Sequence, residues 1–154
     1  MFTISRKFTF CYGHRLLNHN GKCAHPHGHN ASVRIVLASD HLNGQGMVVD
    51  FTEQKKAIGQ WIEDHLDHRM ILENNDPLVK ILEQMNEPIF LLPHQPTAEN
   101  IARLLFEKTE ELGFPVQSVT FWETDQCSAE YRAEYRAEYR QNTESVIDLG
   151  ICEL

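Results

Sequence analysis

The 154-residue chain has no run of like-charged basic residues, no apolar stretch approaching the length of a membrane span, and only four cysteines. Each lack excludes something. With 14 basic against 22 acidic residues the formal net charge is −8, so a general electrostatic grip on nucleic acid or anionic lipid is not expected. The first residues, Met1 to Lys7, contain no seven-residue apolar core of the kind a secretory leader needs, and no later segment offers the eighteen or so apolar residues that cross a bilayer. A cytoplasmic protein with no nucleic-acid or membrane partner is the expectation. In a reducing compartment Cys11, Cys23, Cys127 and Cys152 read as thiols, ligands or nucleophiles rather than a disulfide frame. Glycine and proline are sparse, eight and six, and 42% of residues are hydrophobic, so a chain of this size can bury one core without staples, and one domain over 1–154 is expected.

What the sequence has in abundance is histidine, nine in all, with a cluster between Cys23 and His29. Around it the apolar pattern is that of strands. Phe2, Ile4, Phe8 and Phe10 hold the even positions of one; His27, His29, Ala31, Val33, Ile35 and Leu37 share a parity in the next, and the two are expected to pair antiparallel. Asp50-Phe51-Thr52-Glu53 has the form of a capping box. The helix it opens carries a predicted buried stripe of Gln54, Ala57, Ile58, Trp61, Ile62, His65 and Leu66. Pro77 predicts a shorter helix with Leu78, Ile81, Leu82 and Met85 inward, Ile89 to Leu92 a brief strand, and Thr97 the cap of a third helix that faces inward with Ile101, Leu104, Leu105 and Leu112 and closes at Gly113. Val116 to Glu123 and Ser145 to Cys152 complete the strands of an α+β sandwich. Ala-Glu-Tyr-Arg occurs three times in tandem over residues 129–140; an extended reading alternates charge signs on one face, whereas a helix would stack like charges, so a hairpin arm is expected there.

Three constellations can carry chemistry. In Cys23-Ala24-His25-Pro26-His27-Gly28-His29, histidines two apart on a strand point to the same side, and His14 on the adjoining strand can complete a three-nitrogen site with an open position, as catalytic zinc requires. A structural site closed by Cys23, or one using His25 in place of His14, is the alternative, and the adequate core favours the catalytic form. Asp67-His68, at the end of the first helix, pairs a carboxylate with an imidazole that can move protons near neutral pH, or is simply a solvated helix end. Glu123 closes an apolar alternation with Val119 and Phe121; an inward carboxylate needs donors, from a ligand with a guanidine-like edge or from a structural arginine.

Together, Gly13-His14-Arg15-Leu16, Lys22-Cys23, His27-Gly28-His29-Asn30, Gly46-Met47-Val48-Val49-Asp50-Phe51, Leu66-Asp67-His68, Pro96-Thr97-Ala98-Glu99-Asn100 and Trp122-Glu123-Thr124 resemble the 6-pyruvoyl-tetrahydropterin synthase / 6-carboxytetrahydropterin synthase family. The resemblance runs from Phe8 to about Glu123 and resumes in the final strand, excluding the tandem repeat; Gly13 stands where the family usually has alanine or serine, and Ala98 is the second residue of the Thr-Thr or Thr-Ala/Ser pair. It implies the tunnelling fold, a four-stranded antiparallel sheet with two main helices on one face, joined into a barrel in a hexamer of two trimers with sites between subunits. It further implies zinc on His14, His27 and His29, Cys23 as base, Asp67 and His68 handling a second proton, and Glu123 with Thr97 binding a pterin. The short gap from Cys23 to the His-Gly-His element resembles the bacterial queuosine-branch enzymes. The implied reaction is conversion of 7,8-dihydroneopterin triphosphate to 6-carboxy-5,6,7,8-tetrahydropterin, acetaldehyde and triphosphate. Pyruvoyl-tetrahydropterin formation and a non-catalytic zinc or pterin-binding module are the alternatives. Arg15, Lys22 and Arg69 are the basic residues near these motifs that can meet a triphosphate.

Overall fold

The computed structural model describes residues 1–132. Two long strands, β1 (Phe2–His14) and β2 (His27–Ser39), pair antiparallel along their whole length, with Phe2 opposite Ser39 and His14 opposite His27. The alternation expected to end at Phe10 therefore continues four residues further, through Tyr12 to His14. β5 (Val116–Thr124) lies antiparallel to the other side of β2, and β6 (Cys127–Arg132) antiparallel to β5. These four run antiparallel, but the expected sheet of four strands is not what forms: among the described residues the sheet has six, and β6 rather than the Ser145 to Cys152 segment stands beside β5.

Two short strands extend it. β3 (Arg69–Glu73) pairs parallel with the end of β1 at Tyr12 to His14, and β4 (Ile89–Leu92) pairs parallel with β3, giving the order β4-β3-β1-β2-β5-β6. β4 follows the expected Ile89 to Leu92 run; β3 is an addition to the expected architecture, five residues too short to show a period.

The inward parity of β1, β2 and β5 presents Phe10, Tyr12, Val33, Ile35, Leu37, Val119 and Phe121 to one core, covered by two helical segments. The first is α1 (Phe51–Gln54), continued by a π-helical turn (Lys55–Gly59) into α2 (Gln60–His65). Asp50 caps it by accepting from the Thr52 amide at 2.6 Å. Its Gln54, Ile58, Ile62 and Leu66 are buried as the pattern requires, but His65 is exposed and stacks on Trp61, because the π turn adds a residue and rotates the last turn outward. α3 (Leu78–Gln84) departs from expectation: Val79 is its buried side chain, while Ile81 and Met85 are 52% and 61% exposed. The reason is its start, where buried Asp76 accepts from the Leu78 amide and from Arg15 and so sets the rotation of a helix only seven residues long. The longest helix, α4 (Ala98–Glu111), is capped by Thr97 and buries Ile101, Ala102, Leu105 and Phe106; Leu112 falls at its exposed end before Gly113, whose φ of +86° ends the helix.

The first Ala-Glu-Tyr-Arg copy, Ala129 to Arg132, is extended in β6, with Tyr131 against Phe106. The other copies and the expected strand from Ser145 to Cys152 lie outside the described residues.

Candidate active site

Strand register builds the centre. His14 and His27 are directly opposed across β1 and β2, Tyr12 opposes His29, and parity turns all four side chains to the helix-covered face. The ring nitrogens of His14, His27 and His29 lie within 4.8 Å of one another. Between His27 and His29 of β2 the backbone presses close to its neighbour: a Cβ on Gly28 would stand 2.9 Å from the Tyr12 carbonyl oxygen, so only glycine fits between these histidines.

Tautomers follow from the carbonyl partners. His14 Nδ1 is 2.8 Å from the Pro96 carbonyl and His27 Nδ1 is 2.8 Å from the His25 carbonyl. A carbonyl cannot donate, so both Nδ1 atoms carry the proton and both Nε2 atoms are left as lone pairs in the neutral rings. Those two Nε2 atoms face each other at 3.1 Å, and the buried Nε2 of His29 has no partner among the described residues. Lone pairs turned on one another in a part-buried pocket need a cation between them. Burial, partly opposed by the Pro96 carbonyl and Glu123, lowers the His14 pKa, which favours the neutral ligand form. The donor set suits Zn2+ in a three-nitrogen site. His25 contributes its backbone and not its ring, and Cys23, half-buried in the short turn Lys22–Ala24, is not in the ligand cluster.

Glu123 lies beside the trio. Its Oε1 is 3.7 Å from His14 Nε2 and accepts a hydrogen bond from the Tyr12 hydroxyl at 3.1 Å. Burial and then the adjacent Glu123 carboxylate raise the Tyr12 pKa, so the phenol is protonated and donates. Thr97 reaches the site through its neighbour: its Oγ1 accepts from the Asn100 amide at 3.4 Å at the head of α4, and Pro96, one residue earlier, anchors His14. Tyr12 and Pro96 are the site residues that motif reading passed over. Tyr12 was open to discovery, because it continues the even-position alternation between Phe10 and His14; the Pro96 contact spans 82 positions and leaves no local trace.

Asp67 and His68 form a second, separate cluster with Cys11, whose side chain has the opposite parity to Tyr12 and His14. Asp67 Oδ1 accepts from the Cys11 amide and Oδ2 bonds His68 Nδ1, both at 2.8 Å, while the His68 amide donates to the Cys11 carbonyl at 2.7 Å. His68 sits at φ +55°, turning the chain out of the helix into β3. Burial works to raise the Asp67 carboxyl, but the Cys11 amide and the His68 imidazole outweigh it and hold the group below the usual carboxylate range. The imidazole is therefore oriented by an ionised carboxylate, with its Nε2 free to exchange a proton in an exposed position. Within one chain this dyad does not join the histidine trio.

Of the basic residues near the motifs, Arg15 is committed elsewhere: its Nε donates to Asp76 Oδ2 at 2.8 Å and a second guanidinium nitrogen contacts Oδ1. Arg69 donates to the Asp64 carbonyl, whereas Lys22 is exposed.

A helix-covered mixed sheet, antiparallel through β1, β2, β5 and β6, with a histidine trio at one end of its central strands defines an α+β tunnelling-fold protein whose three imidazoles suit a divalent metal. Residues 3–134 match the family described as 6-pyruvoyl tetrahydropterin synthase. The chain is 32% identical over 140 residues to the 6-carboxy-5,6,7,8-tetrahydropterin synthase of Haemophilus influenzae, covering 86% of this chain and 99% of that one. It is 37% identical over 136 residues to the protein of the same name from Synechocystis sp., covering 85% and 93%. Among solved structures it superimposes on Caenorhabditis elegans 6-pyruvoyl tetrahydropterin synthase with a TM-score of 0.64 at 26% identity, covering 85% of this chain and 94% of that one. An uncharacterized protein from Wolinella succinogenes gives 0.70 at 28%, covering 85% and 97%. The chain belongs to the 6-pyruvoyl tetrahydropterin synthase family and is an enzyme.

Proposed function

We propose that the protein is a zinc-dependent lyase converting 7,8-dihydroneopterin triphosphate to 6-carboxy-5,6,7,8-tetrahydropterin, acetaldehyde and triphosphate, as a step toward queuosine or a related deazapurine. The observation that carries this reading is the set of three converging imidazoles, His14 buried and His27 and His29 half-buried, with a carboxylate beside it, in a chain similar over about 85% of its length to relatives named for that product. His14, His27 and His29 would hold Zn2+, which when bound supplies Lewis-acid polarisation of side-chain oxygens on the substrate. Glu123, assisted by the segment at Thr97, accepts hydrogen bonds from the 2-amino and N3 edge of the pterin and so fixes which carbon faces the trio. Cys23, as thiolate, removes the side-chain proton. His68, held by Asp67 through Nδ1, carries the second proton on Nε2.

Because the dyad and the trio are separate clusters in one chain, this mechanism needs a neighbouring subunit to bring a dyad to a trio. The assembly we propose is a cytoplasmic homohexamer, a dimer of trimers, of the whole chain 1–154. Among the described residues no helix is long and apolar enough to span a membrane.

The same site can instead release triphosphate without cleaving the side chain, the 6-pyruvoyl outcome favoured by the likeness to the Caenorhabditis elegans protein. Anaerobic incubation of the zinc-loaded protein with 7,8-dihydroneopterin triphosphate, read by mass spectrometry of the pterin and an acetaldehyde assay, separates the readings. Carboxytetrahydropterin with acetaldehyde is expected. A pyruvoyl product without acetaldehyde moves the protein to the sister reaction, and no turnover leaves a zinc or pterin-binding module.

A further inference from the structure

The buried face around the histidine trio carries one polar side chain that the mechanism above leaves unused. Tyr12 stands two residues before His14 on β1 and opposite His29 in the ladder, 3% exposed. Its ring is wedged against His14 at 5.0 Å, His29 at 5.7 Å and Phe121 at 5.8 Å between centroids, so it has no room to swing aside. Its hydroxyl donates to Glu123 Oε1, the same oxygen that lies 3.7 Å from His14 Nε2.

That second distance matters. Zinc bonds to nitrogen and oxygen of about 2.0–2.2 Å place two ligands of one tetrahedral ion roughly 3.3–3.5 Å apart. Glu123 Oε1 is thus a few tenths of an ångström from ligand spacing to His14, yet it is not among the donors mutually within 4.8 Å. An anionic oxygen this close to His14 Nε2 is drawn toward any divalent ion the trio holds. If it bound, it would close the open position that Lewis-acid chemistry needs and would remove the carboxylate from a ligand's amino edge. The opposing contact is the phenol, a charge-assisted hydrogen bond to the same oxygen, made by a ring that packing does not allow to follow the carboxylate inward.

We propose that Tyr12 is a positioning residue that restrains Glu123 beside the metal and off it, keeping the fourth position open and the carboxylate free for substrate. This rests on the reading that the trio holds a metal and that Glu123 receives the pterin.

The test uses the full chain loaded with Co2+, whose visible absorption reports coordination number and ligand type. Tyr12→Phe retains the ring and removes one oxygen. The expected result is a changed Co2+ spectrum, Zn2+ affinity higher by roughly tenfold in chelator competition, and a KM for the pterin substrate raised at least as much. The double variant Tyr12→Phe, Glu123→Gln should return the spectrum to that of the wild type. An unchanged spectrum with unchanged or weaker metal affinity in Tyr12→Phe overturns the proposal, since a merely structural tyrosine would loosen the site rather than tighten it. Glu123→Gln alone provides a second check that does not depend on how well Tyr12→Phe folds. Its Co2+ spectrum should match the wild type, and a shift would show that Glu123 is already a ligand, which also overturns the proposal. A spectrum that moves as expected in a protein that turns over no pterin would sustain the role of Tyr12 and reject the lyase reading; turnover with no spectral change would do the reverse.

Discussion

Arg15 offers the sharpest separation between what its sequence neighbourhood suggests and what the fold does with it. Next to His14 it reads as a cation for a triphosphate; in the structure its guanidinium grips Asp76, whose side chain is 1% exposed. That carboxylate receives Arg15 through two nitrogens and the Leu78 amide at 2.8 Å, and it sets the start of α3. Arg15→Ala would leave a buried carboxylate with one donor, a change that typically costs about 3–5 kcal/mol. Because Arg15 itself is 21% exposed, water can enter in its place and the lower figure, about 3 kcal/mol, is the expectation. With an m-value of about 2 kcal/mol/M, the urea midpoint should fall by about 1.5 M at fixed protein concentration. Arg15→Lys, one donor in place of a fork, should recover part of that loss.

The pH dependence has a definite sign. The Arg15 hydrogen bonds, against burial, hold the Asp76 carboxyl below its ordinary value. The stabilisation is present above the unfolded pKa of about 3.9 and is lost as pH falls through the lower folded value, so the wild type and Arg15→Ala should converge in stability on acidification below about pH 4. Urea titrations at pH 7 and pH 3.5 measure both effects. An Arg15→Ala protein with wild-type stability and a raised KM for the pterin triphosphate would refute the reasoning and restore Arg15 as a phosphate ligand.

Other outcomes follow from the site. Gly28→Ala forces a Cβ to 2.9 Å from the Tyr12 carbonyl and should spread the β1–β2 ladder between the ligand histidines; zinc affinity should fall by roughly 10–100-fold in chelator competition, with the helices intact by circular dichroism. Asp67→Asn removes the carboxylate that orients His68 and should lower kcat by about 100-fold or more while metal content, measured by elemental analysis, stays at the wild-type level, because the dyad is separate from the trio. Cys23→Ala should likewise retain one zinc per chain and lose turnover; zinc loss would mark Cys23 as a ligand. Thr97→Ala should destabilise by about 1 kcal/mol through the lost cap of α4, read as a lower urea midpoint.

Local pattern was informative where structure is local or repeats with a short period. The alternation of β1 and β2, the Asp50 and Thr97 caps, and the same-side placement of His27 and His29 are properties of a few neighbouring residues, and each is found in the fold. The histidine trio was legible because its members sit on two strands long enough to declare their parity, which leaves only the register to chance. Pattern failed where the deciding contact is remote. β3 is too short to show a period and exists because the end of β1 offers it an edge. The exposed Ile81 and Met85 of α3 follow from an ion pair 61 residues apart in sequence, which overrides the helix's own apolar stripe.

The sequence by itself determined the α+β class, the antiparallel pairing of its first two strands, the grouping of His14, His27 and His29 and the family, because alternation, capping and motif spacing are written in consecutive residues. Only the tertiary structure decided that Arg15 serves Asp76, that Pro96 and His25 dictate the histidine tautomers, that Tyr12 holds Glu123, and that Asp67 and His68 stand apart from the trio within one chain. Each of these is a contact between segments whose separation is set by the packing of the whole sheet and its helices, and no period in the chain encodes it.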